Sequence, residues 1–527
     1  MNALNVLMVA AENDGITGCK VGGIADVIRD VPAALAELGC RMSVVTPSYG
    51  FLHEAAGAVQ TGTVRFYFAG QLEQAALYRV RPKSEKFNHT VHYVIDSPRF
   101  LQRAAGGQPL IYSNDPPDRP FATDATKFAC FCAAIATAVK DGLFGPLNVL
   151  HLHDWHAALI LLLRKYDPDY AALKEFRAVY TIHNLALQGT RPVGGDPSSL
   201  KRWFPTIFPD TETPAEVLDP RWTDCFNPMA VGIRLADAVH AVSPTYAEEI
   251  IRPSNPPQFS GGEGLEHDLQ RALNSRRLHG ILNGCDYPKQ KPEKMKSAAL
   301  FALLKTEAVY LAAKRGTLTL ADYAAMQTLD KRIAARKKPD FIAVSISRAV
   351  EQKMLLMTAA GADGRTGLDK ILAAIGDAGL YILIGSGDAK IEAFLAEASA
   401  VNGNFVFING YAAKAADALY VAGDLFLMPS SFEPCGIGQM LAMRNGQPCL
   451  VHRTGGLNDT VNNGENGFSF TGETLAAQVD AMEAALKNAL ALRAAEPDKW
   501  NAVRNAAAAA RFLWSDSAKQ YIEKLYR

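Results

Sequence analysis

Lys20-Val21-Gly22-Gly23-Ile24-Ala25-Asp26-Val27 is the stretch that decides the fold. It follows an apolar run, residues 4–11, which predicts a buried strand, and it opens a segment of aliphatic residues at helical spacing that Gly39 closes. A strand that runs through a glycine turn into a helix indicates an α/β protein. The helix start offers unpaired N–H groups and a partial positive charge, to which Lys20 adds a full charge. The turn therefore favours a phosphate ligand, with a purely structural turn as the alternative.

The same pattern returns near the other end of the chain. Arg453-Thr454-Gly455-Gly456-Leu457-Asn458-Asp459-Thr460-Val461 repeats the order basic, x, Gly, Gly, aliphatic, x, Asp after a strand-like run, residues 448–451. Two copies predict two similar α/β halves. Open parallel sheets bind ligands beyond the carboxyl ends of their strands. We therefore expect two Rossmann-like domains that face a central cleft.

Composition limits the class of protein. A chain of 527 residues has room for about two or three domains. Lys plus Arg and Asp plus Glu are both 54, so net charge predicts neither a nucleic-acid partner nor a membrane partner. Eight scattered cysteines without a disulfide framework favour a reducing compartment. The apolar run near residue 4 is too short for a signal or a membrane span, and we predict a cytoplasmic protein.

Predicted strands alternate with predicted helices along most of the chain, which indicates mostly parallel sheets. Polar side chains follow the ends of these strands, where the ligand site of an α/β protein is expected. They are Asp154 and His183 in the first half, and Arg348, Lys353, Tyr411 and Glu433 in the second.

Three histidines beside an aspartate raise the possibility of a metal site. Strand alternation puts His151 and His153 on one face, and His156 lies past the turn. A zinc site needs three or four convergent ligands with supporting hydrogen bonds. We therefore expect no metal here, but one or two contacts to a polar substrate, with Asp154 beginning the next helix.

Seven segments in a fixed order carry a family resemblance. They are Lys20 to Gly23, His153-Asp154-Trp155-His156, His183-Asn184-Leu185-Ala186-Leu187-Gln188-Gly189, Val242 to Tyr246, Gly280 to Gly284, Phe432-Glu433-Pro434-Cys435-Gly436 and Arg453 to Leu457. Together they resemble the bacterial glycogen synthase and plant starch synthase family over most of the chain. The resemblance implies the GT-B fold, with a final helix that crosses back to the first domain. It also implies transfer of glucose from ADP-glucose to the non-reducing end of an α-1,4-glucan, with retention and without an essential metal or other cofactor.

The resemblance also suggests domain bounds. We predict an acceptor domain at 1–286, a helical connection at 287–338, rich in Lys, Ala, Leu and Glu, a nucleotide-sugar domain at 339–505 and a final helix at 506–527.

Roles follow from the resemblance position by position. Residues matching Lys20, Arg348 and Lys353 meet the diphosphate, together with N–H groups of the glycine turns. Residues matching His183, Glu433 and Asn227 meet the glucosyl unit, Asp154 lies near the acceptor, and Tyr411 lies beside the adenine. The predicted donor-binding set is completed by Gly22, Gly23, Cys435, Gly436, Thr454 and Gly455.

The chemistry of the leaving group agrees with these roles. Charge develops on the phosphate oxygens, and cations or N–H dipoles already in position stabilise it in place of a magnesium ion. A double displacement needs a carboxylate nucleophile with an acid/base partner. Glu433 is the candidate nucleophile, but we favour hydrogen bonding to sugar hydroxyls and a same-face mechanism. The structural alternative for Glu433 is a carboxylate near a helix start.

Three departures from the family pattern stand out. Two extra residues separate Glu12 from Lys20, and residues 354–366 intervene before Gly367-Leu368-Asp369 as a predicted loop near the diphosphate. Ala230 stands where a lysine is expected. Two other functions therefore remain open: a glucosyltransferase that uses UDP-glucose, and a catalytically silent homologue that binds glucan.

Overall fold

The computed structural model describes residues 3–104, 106–209, 211–288 and 292–527. Residues 1, 2, 105 and 210 of the predicted first domain and 289–291 of the predicted connection lie outside the described residues. The chain forms two compact units. The first comprises Met1–Ser254, Gly261–Gly284 and Trp514–Arg527, and the second comprises Asn255–Ser260 and Cys285–Leu513.

The first unit is built on a sheet of nine strands in the described part of the chain, in the order β11-β10-β7-β6-β1-β2-β5-β4-β3. The strands of this unit, including the separate pair β8–β9, are β1 Asn5–Val9, β2 Arg41–Pro47, β3 Val59–Phe68, β4 Gln71–Val80, β5 Thr90–Asp96, β6 Val149–His153, β7 Arg177–Ile182, β8 Arg191–Pro192, β9 Cys225–Phe226, β10 Ala238–Ala241 and β11 Leu278–Gly280. Its helices before the second unit are α1 Gly23–Glu37, α2 Ala122–Lys140, α3 Asp154–Tyr166, α4 Leu200–Trp203, α5 Pro228–Leu235, α6 Pro244–Glu249 and α7 Glu266–Asn274.

The deciding stretch folds as its pattern predicts. β1 is buried along almost its whole length and pairs in parallel with β2 and β6. The aliphatic residues of α1 face the core, and Gly39 follows the helix in a left-handed conformation that glycine adopts without strain.

The sequence pattern does not predict one strand of the first sheet, β4. β4 pairs antiparallel with both β3 and β5, so this edge of the sheet is not parallel. Its exposed, mixed sequence lacks the continuous apolar run that marks a buried parallel strand.

The second unit holds a parallel sheet of six strands in its described part, in the order β14-β13-β12-β15-β16-β17. Its strands are β12 Ile342–Ile346, β13 Leu380–Gly385, β14 Phe405–Asn409, β15 Leu425–Met428, β16 Cys449–His452 and β17 Gly467–Phe470. Its helices are α8 Ser297–Arg315, α9 Leu320–Ala335, α10 Glu351–Thr358, α11 Gly367–Ile375, α12 Ala389–Val401, α13 Ala413–Ala422, α14 Gly438–Met443, α15 Gly455–Thr460, α16 Leu475–Ala495 and α17 Pro497–Ala509.

The segment predicted as a helical connection, 287–338, forms the two helices α8 and α9, but it does more than connect. Leu300 and Leu304 of α8 and Leu329 of α9 lie in the same buried cluster as Ile342 and Val344 of β12. The two helices therefore cover one face of the second sheet. Their apolar sides need burial, but the local sequence does not specify which surface buries them.

The segment predicted as a loop, 354–366, begins as helix and continues as a turn. Residues 354–358 continue α10, and Thr366 caps α11 in a reciprocal pair with Asp369. Lys370 then ties the segment to α16 through ion pairs with Asp363 (2.9 Å) and Asp480 (3.0 Å).

The chain ends with a helix that returns to the first unit. α18 spans Trp514–Gln520 and continues into a π-turn, Tyr521–Leu525. The Trp514 indole donates to Asp30 of α1 (3.2 Å), and Ser517 donates to the carbonyl of Leu282 (2.6 Å). The crossing helix implied by the resemblance is thus present from Trp514, while α17 stays with the second unit.

Among the described residues, α2 alone is long and apolar enough to cross a membrane, and 89% of its most apolar window is buried in the first unit. Its hydropathy is therefore that of a core helix. The eight cysteines are free thiols. The cytoplasmic location stays a prediction.

Candidate functional site

The first glycine turn holds an anionic group that comes from the protein itself. The N–H groups of Val21 and Gly22 donate to one oxygen of Glu12 (2.5 and 2.6 Å), and the Tyr112 hydroxyl donates to the other (2.8 Å). Lys20 pairs with Asp26 at 2.6 Å. The start of α1 thus attracts negative charge as its dipole requires. The phosphate contact of Lys20, Gly22 and Gly23 stays a prediction.

The second glycine pair allows close packing of backbone against backbone. Gly455 has φ +43°, and a methyl group there would overlap the carbonyl oxygen of Glu433. A methyl group at Gly456 would overlap the carbonyl of Cys435. The N–H of Gly456 donates to the carbonyls of Glu433 and Pro434 (3.2 Å each). The turn therefore fixes the segment that carries Glu433.

Lys353 and Glu433 lie together as an ion pair. Lys353 lies in the first turn of α10, which follows β12, and Glu433 follows β15, the neighbour of β12 in the sheet. The Ser430 hydroxyl donates to the same Glu433 oxygen (3.1 Å). Glu433 is only 6% exposed, so its carboxylate is held by two protein groups. This arrangement suits a fixed hydrogen-bond acceptor better than an unengaged nucleophile.

Other predicted site residues of the second unit follow the ends of strands in the same sheet. Arg348 follows β12, is exposed and has no side-chain partner in the described part of the chain. Tyr411 follows β14 and is 72% exposed. Cys435 is buried, and Gly436 has the positive φ (+75°) that favours glycine. Thr454 is the residue before α15.

In the first unit, His183 lies at the end of a row of histidines. Its Nε2 faces Nδ1 of His153 at 3.0 Å, and the ring of His153 stacks on His151 with centroids 4.3 Å apart. These side chains come from β6 and the end of β7, which pair in parallel. Burial lowers the pKa of His183 to about 3, so the imidazole is neutral at pH 7. It serves as a neutral hydrogen-bonding group.

The row of histidines is no metal centre in this structure. No group of three or more His, Cys, Asp or Glu side chains within the described residues converges as metal ligands. His151 instead contacts the hydroxyls of Thr181 (2.6 Å) and Tyr526 (2.8 Å). His156 packs against Phe128, away from the other two.

Asp154 is a positioning group for the His183 turn. It is the first residue of α3 and has a left-handed backbone, φ +53°. Its carboxylate accepts the N–H of His183 (2.7 Å). Burial raises the pKa of Asp154 to about 7, against the lowering effect of the N–H groups of His183 and Asn184. The carboxyl group therefore titrates near neutral pH.

Asn227 is wholly engaged inside the first unit. It caps α5 by accepting the N–H of Ala230 (3.1 Å), and its amide donates to Gln188 (2.6 Å) and Asp219 (2.7 Å). It is fully buried. Here Asn227 holds the segment 183–189, and its contact with the glucosyl unit stays a prediction. Ala230 is fully buried as well.

Sequence reasoning missed Glu12, Tyr112 and the network of Gln188 with Asp219. Glu12 does carry a signal, since it follows the predicted strand 4–11 at the position where polar groups gather. Tyr112 carries none, because it is 100 residues from its partner.

Gly189→Ala tests how tightly this segment is packed. Gly189 has φ +69°, and a methyl group there would overlap the Trp155 ring. We expect a loss of unfolding free energy of about 3 kcal/mol, from overpacking added to backbone strain. Gly195→Ala is the matched control, because Gly195 has φ +77° and open space around it. It should cost only about 1 kcal/mol. Equal losses in urea unfolding would contradict the packing argument.

Comparisons with known proteins identify the fold and the family. A model of the starch synthase catalytic domain matches residues 5–271, and one of group 1 glycosyl transferases matches residues 327–501. The catalytic domain of starch synthase IV from Arabidopsis thaliana, solved bound to ADP and acarbose, has TM-score 0.73 at 25% identity, over 100% of this chain and 99% of that one. Sucrose-phosphate synthase from Thermosynechococcus elongatus, with TM-score 0.51 at 16% identity over 99% and 98% of the chains, shares the fold.

Two α/β units with polar groups at the strand ends and a returning final helix define a GT-B glycosyltransferase. Glycogen synthases from Gloeobacter violaceus and Lactiplantibacillus plantarum are each 32% identical to this chain, over 99% and 98% of it and 98% of either relative. The chain belongs to the glycogen synthase and starch synthase family.

Proposed function

We propose that the protein transfers glucose from ADP-glucose to the non-reducing end of an α-1,4-glucan with retention of configuration. The observation that carries the proposal is the ion pair between Lys353 and the buried Glu433, together with the exposed Arg348 after β12. The starch synthase IV relative was solved with ADP and acarbose, which supports an adenine nucleotide donor and a glucan-like acceptor.

Lys353 and Arg348 are proposed to hold the donor diphosphate. When the bond between the sugar and the phosphate breaks, negative charge develops on the phosphate oxygens. Fixed cations stabilise that charge more in the transition state than in the ground state, which lowers the barrier. Lys20 adds a third cation. With these groups in place the reaction needs no bound metal.

Glu433 is proposed to accept hydrogen bonds from glucosyl hydroxyls. Its carboxylate is already engaged by Lys353 and Ser430, which fixes its orientation. The new bond then forms on the face that the phosphate leaves: the acceptor hydroxyl bonds to the anomeric carbon, the carbon–phosphate oxygen bond breaks, and the hydroxyl proton passes to the departing phosphate.

His183 is proposed to contact the glucosyl unit as a neutral group. Because its pKa is lowered, His183 is neutral near pH 7 and does not act as an imidazolium proton donor. Asp154 acts through the backbone of His183, so we assign it to positioning of the acceptor side. The proposed donor set further includes Asn227, Tyr411, Cys435, Gly436, Thr454 and Gly455.

The same experiment tests two alternative functions. A UDP-glucose donor leaves the phosphate and sugar contacts unchanged, since among the proposed donor residues only Tyr411 is assigned to the base. A catalytically silent glucan binder has no need of the Lys353–Glu433 pair, and the pair therefore favours an enzyme.

The deciding experiment measures transfer of labelled glucose onto glycogen from ADP-glucose and, separately, from UDP-glucose, with and without chelator. We expect transfer from ADP-glucose that chelator does not reduce. Transfer from UDP-glucose alone would change the proposed donor from ADP-glucose to UDP-glucose. Loss of transfer activity in chelator would contradict the proposal that no metal is needed. Glycogen binding without transfer would favour the silent homologue. Glu433→Ala is the companion variant, expected to lose turnover and keep glycogen binding.

A further inference from the structure

The first unit contains a cavity of about 490 Å³, apart from the groups described above. It lies where the turn from β3 to β4, the segment after β5, the first turns of α2 and the helix α4 meet. Its volume is in the range of small-molecule sites, about 300–1,000 Å³. None of its lining residues is among the groups assigned to the donor or to the glucan. No carboxylate lines it in the described part of the chain.

Three arginines give the cavity its charge. Arg99 donates through Nε and Nη2 to Glu73 (2.8 and 2.5 Å) and through Nη2 to Gln71 (3.3 Å), and Arg119 pairs with Asp196 (3.1 Å). Arg202 has no side-chain partner among the residues that the structure describes. A guanidinium carries five N–H donors, so each of the three keeps donors for a ligand. Planar arginine forks are the preferred partners of phosphate oxygens.

A fourth cation contributes only its aliphatic stem. The Lys127 ammonium is fully buried and donates to the carbonyl of Ile111 (2.6 Å) and to Asp124 (2.7 Å). It supports the first turn of α2 and offers no charge to a ligand.

Neutral groups line the rest of the wall. The Trp203 indole N–H is buried without a hydrogen-bond partner within the described residues, although its residue is only 1% exposed. Buried N–H groups in native proteins nearly always have a partner, so an unpartnered N–H on a residue that lines the cavity is a candidate donor for a ligand oxygen. The side-chain amide of Gln102 also lacks a partner in the described chain. Phe68 and Trp203 add apolar surface on which a sugar ring can pack.

We propose that this cavity is a binding site for a sugar phosphate. The phosphate takes the guanidinium groups of Arg99, Arg119 and Arg202, and the sugar hydroxyls take the Trp203 indole and the Gln102 amide. A neutral glucan leaves the guanidinium group of Arg202 without a charged partner, so the cavity favours the anion. The site goes beyond the proposed transfer reaction and does not depend on it.

The test is calorimetric titration of the full chain with glucose 1-phosphate in saturating ADP, which keeps the probe out of any nucleotide site. We expect glucose 1-phosphate to bind and glucose not to bind. Arg202→Ala should weaken binding about tenfold or more, since it removes a charge-assisted hydrogen bond. Lys201→Ala is the matched control, as Lys201 is an exposed neighbour outside the cavity, and it should change nothing. Transfer activity should be the same in both variants.

Three results would overturn the proposal. One is absence of glucose 1-phosphate binding to the wild-type protein in ADP. Another is equal weakening by Arg202→Ala and Lys201→Ala. The third is equal affinity for inorganic phosphate and glucose 1-phosphate, which would contradict the sugar contacts. Trp203→Phe gives an independent measurement, because it keeps the aromatic surface and removes the N–H; unchanged affinity in that variant would contradict the assigned hydrogen bond.

Discussion

We expect Lys353→Ala to lower kcat/KM for the nucleotide-sugar donor by about a thousandfold, the size typical of removing one preorganised electrostatic group. Two effects combine. The variant loses the cation proposed to stabilise the departing diphosphate. It also leaves Glu433 buried without its counter-charge, which disturbs the carboxylate proposed to hold the sugar.

Steady-state kinetics with ADP-glucose and glycogen measures this effect. The loss should fall mainly on kcat, because the interaction strengthens as charge develops in the transition state. Lys487→Ala is the matched control, since Lys487 is an exposed lysine of the same unit that pairs with Glu483. Lys353→Arg should recover part of the activity. A Lys353→Ala enzyme within fivefold of wild type would exclude this lysine from the diphosphate site.

Acid should unfold the first unit steeply, because six of its buried histidines have lowered pKa values. Burial lowers the pKa of His92 and His240 to about 4 and that of His156 and His183 to about 3. It lowers the pKa of His151 and His153 as well. A histidine with a depressed folded pKa stabilises the fold above its unfolded pKa, near 6.5. That stability is lost as the pH falls through the folded pKa.

The raised pKa of Asp154 has the opposite effect on the pH dependence of stability. Its folded pKa, raised to about 7, means that the folded state holds this proton at pH 5 while the unfolded state has released it. The four histidines with a folded pKa of about 3 or 4 take up four protons and Asp154 releases one, which gives a net uptake of about three on unfolding at pH 5. The unfolding free energy should therefore fall by about 4 kcal/mol per pH unit near pH 5, and His151 and His153 act in the same direction.

Urea unfolding between pH 4.5 and 7 measures this slope through tryptophan fluorescence, since Trp155, Trp203, Trp222 and Trp514 belong to the first unit. His156→Gln should reduce the slope by about one proton, or about 1.4 kcal/mol per pH unit. His89→Gln, at an exposed position, is the control and should leave the slope unchanged. A wild-type protein whose stability is flat from pH 7 to 5 would contradict the assignment of neutral buried histidines.

The sequence by itself determined the units of the fold. Alternating apolar strands and amphipathic helices, with glycine where a strand turns into a helix, are local patterns, and the structure follows them from β1 and α1 to β16 and α15. The order of the motifs was enough to indicate the family, which the comparisons confirm. Patterns of this kind are readable because each depends on neighbours within one or two turns of chain.

The tertiary structure alone decided what each candidate side chain contacts. Glu12 takes the N–H groups of the first glycine turn, and Lys353 meets Glu433 because β12 and β15 are neighbours in the sheet. Burial makes His183 neutral and moves the pKa of Asp154 to about 7. The partners in these contacts are separated by 10 to 80 residues along the chain, and desolvation depends on the whole fold. Sequence periodicity carries no information about distant contact partners or about desolvation. The chemistry of these groups could therefore be derived only from the assembled sheets.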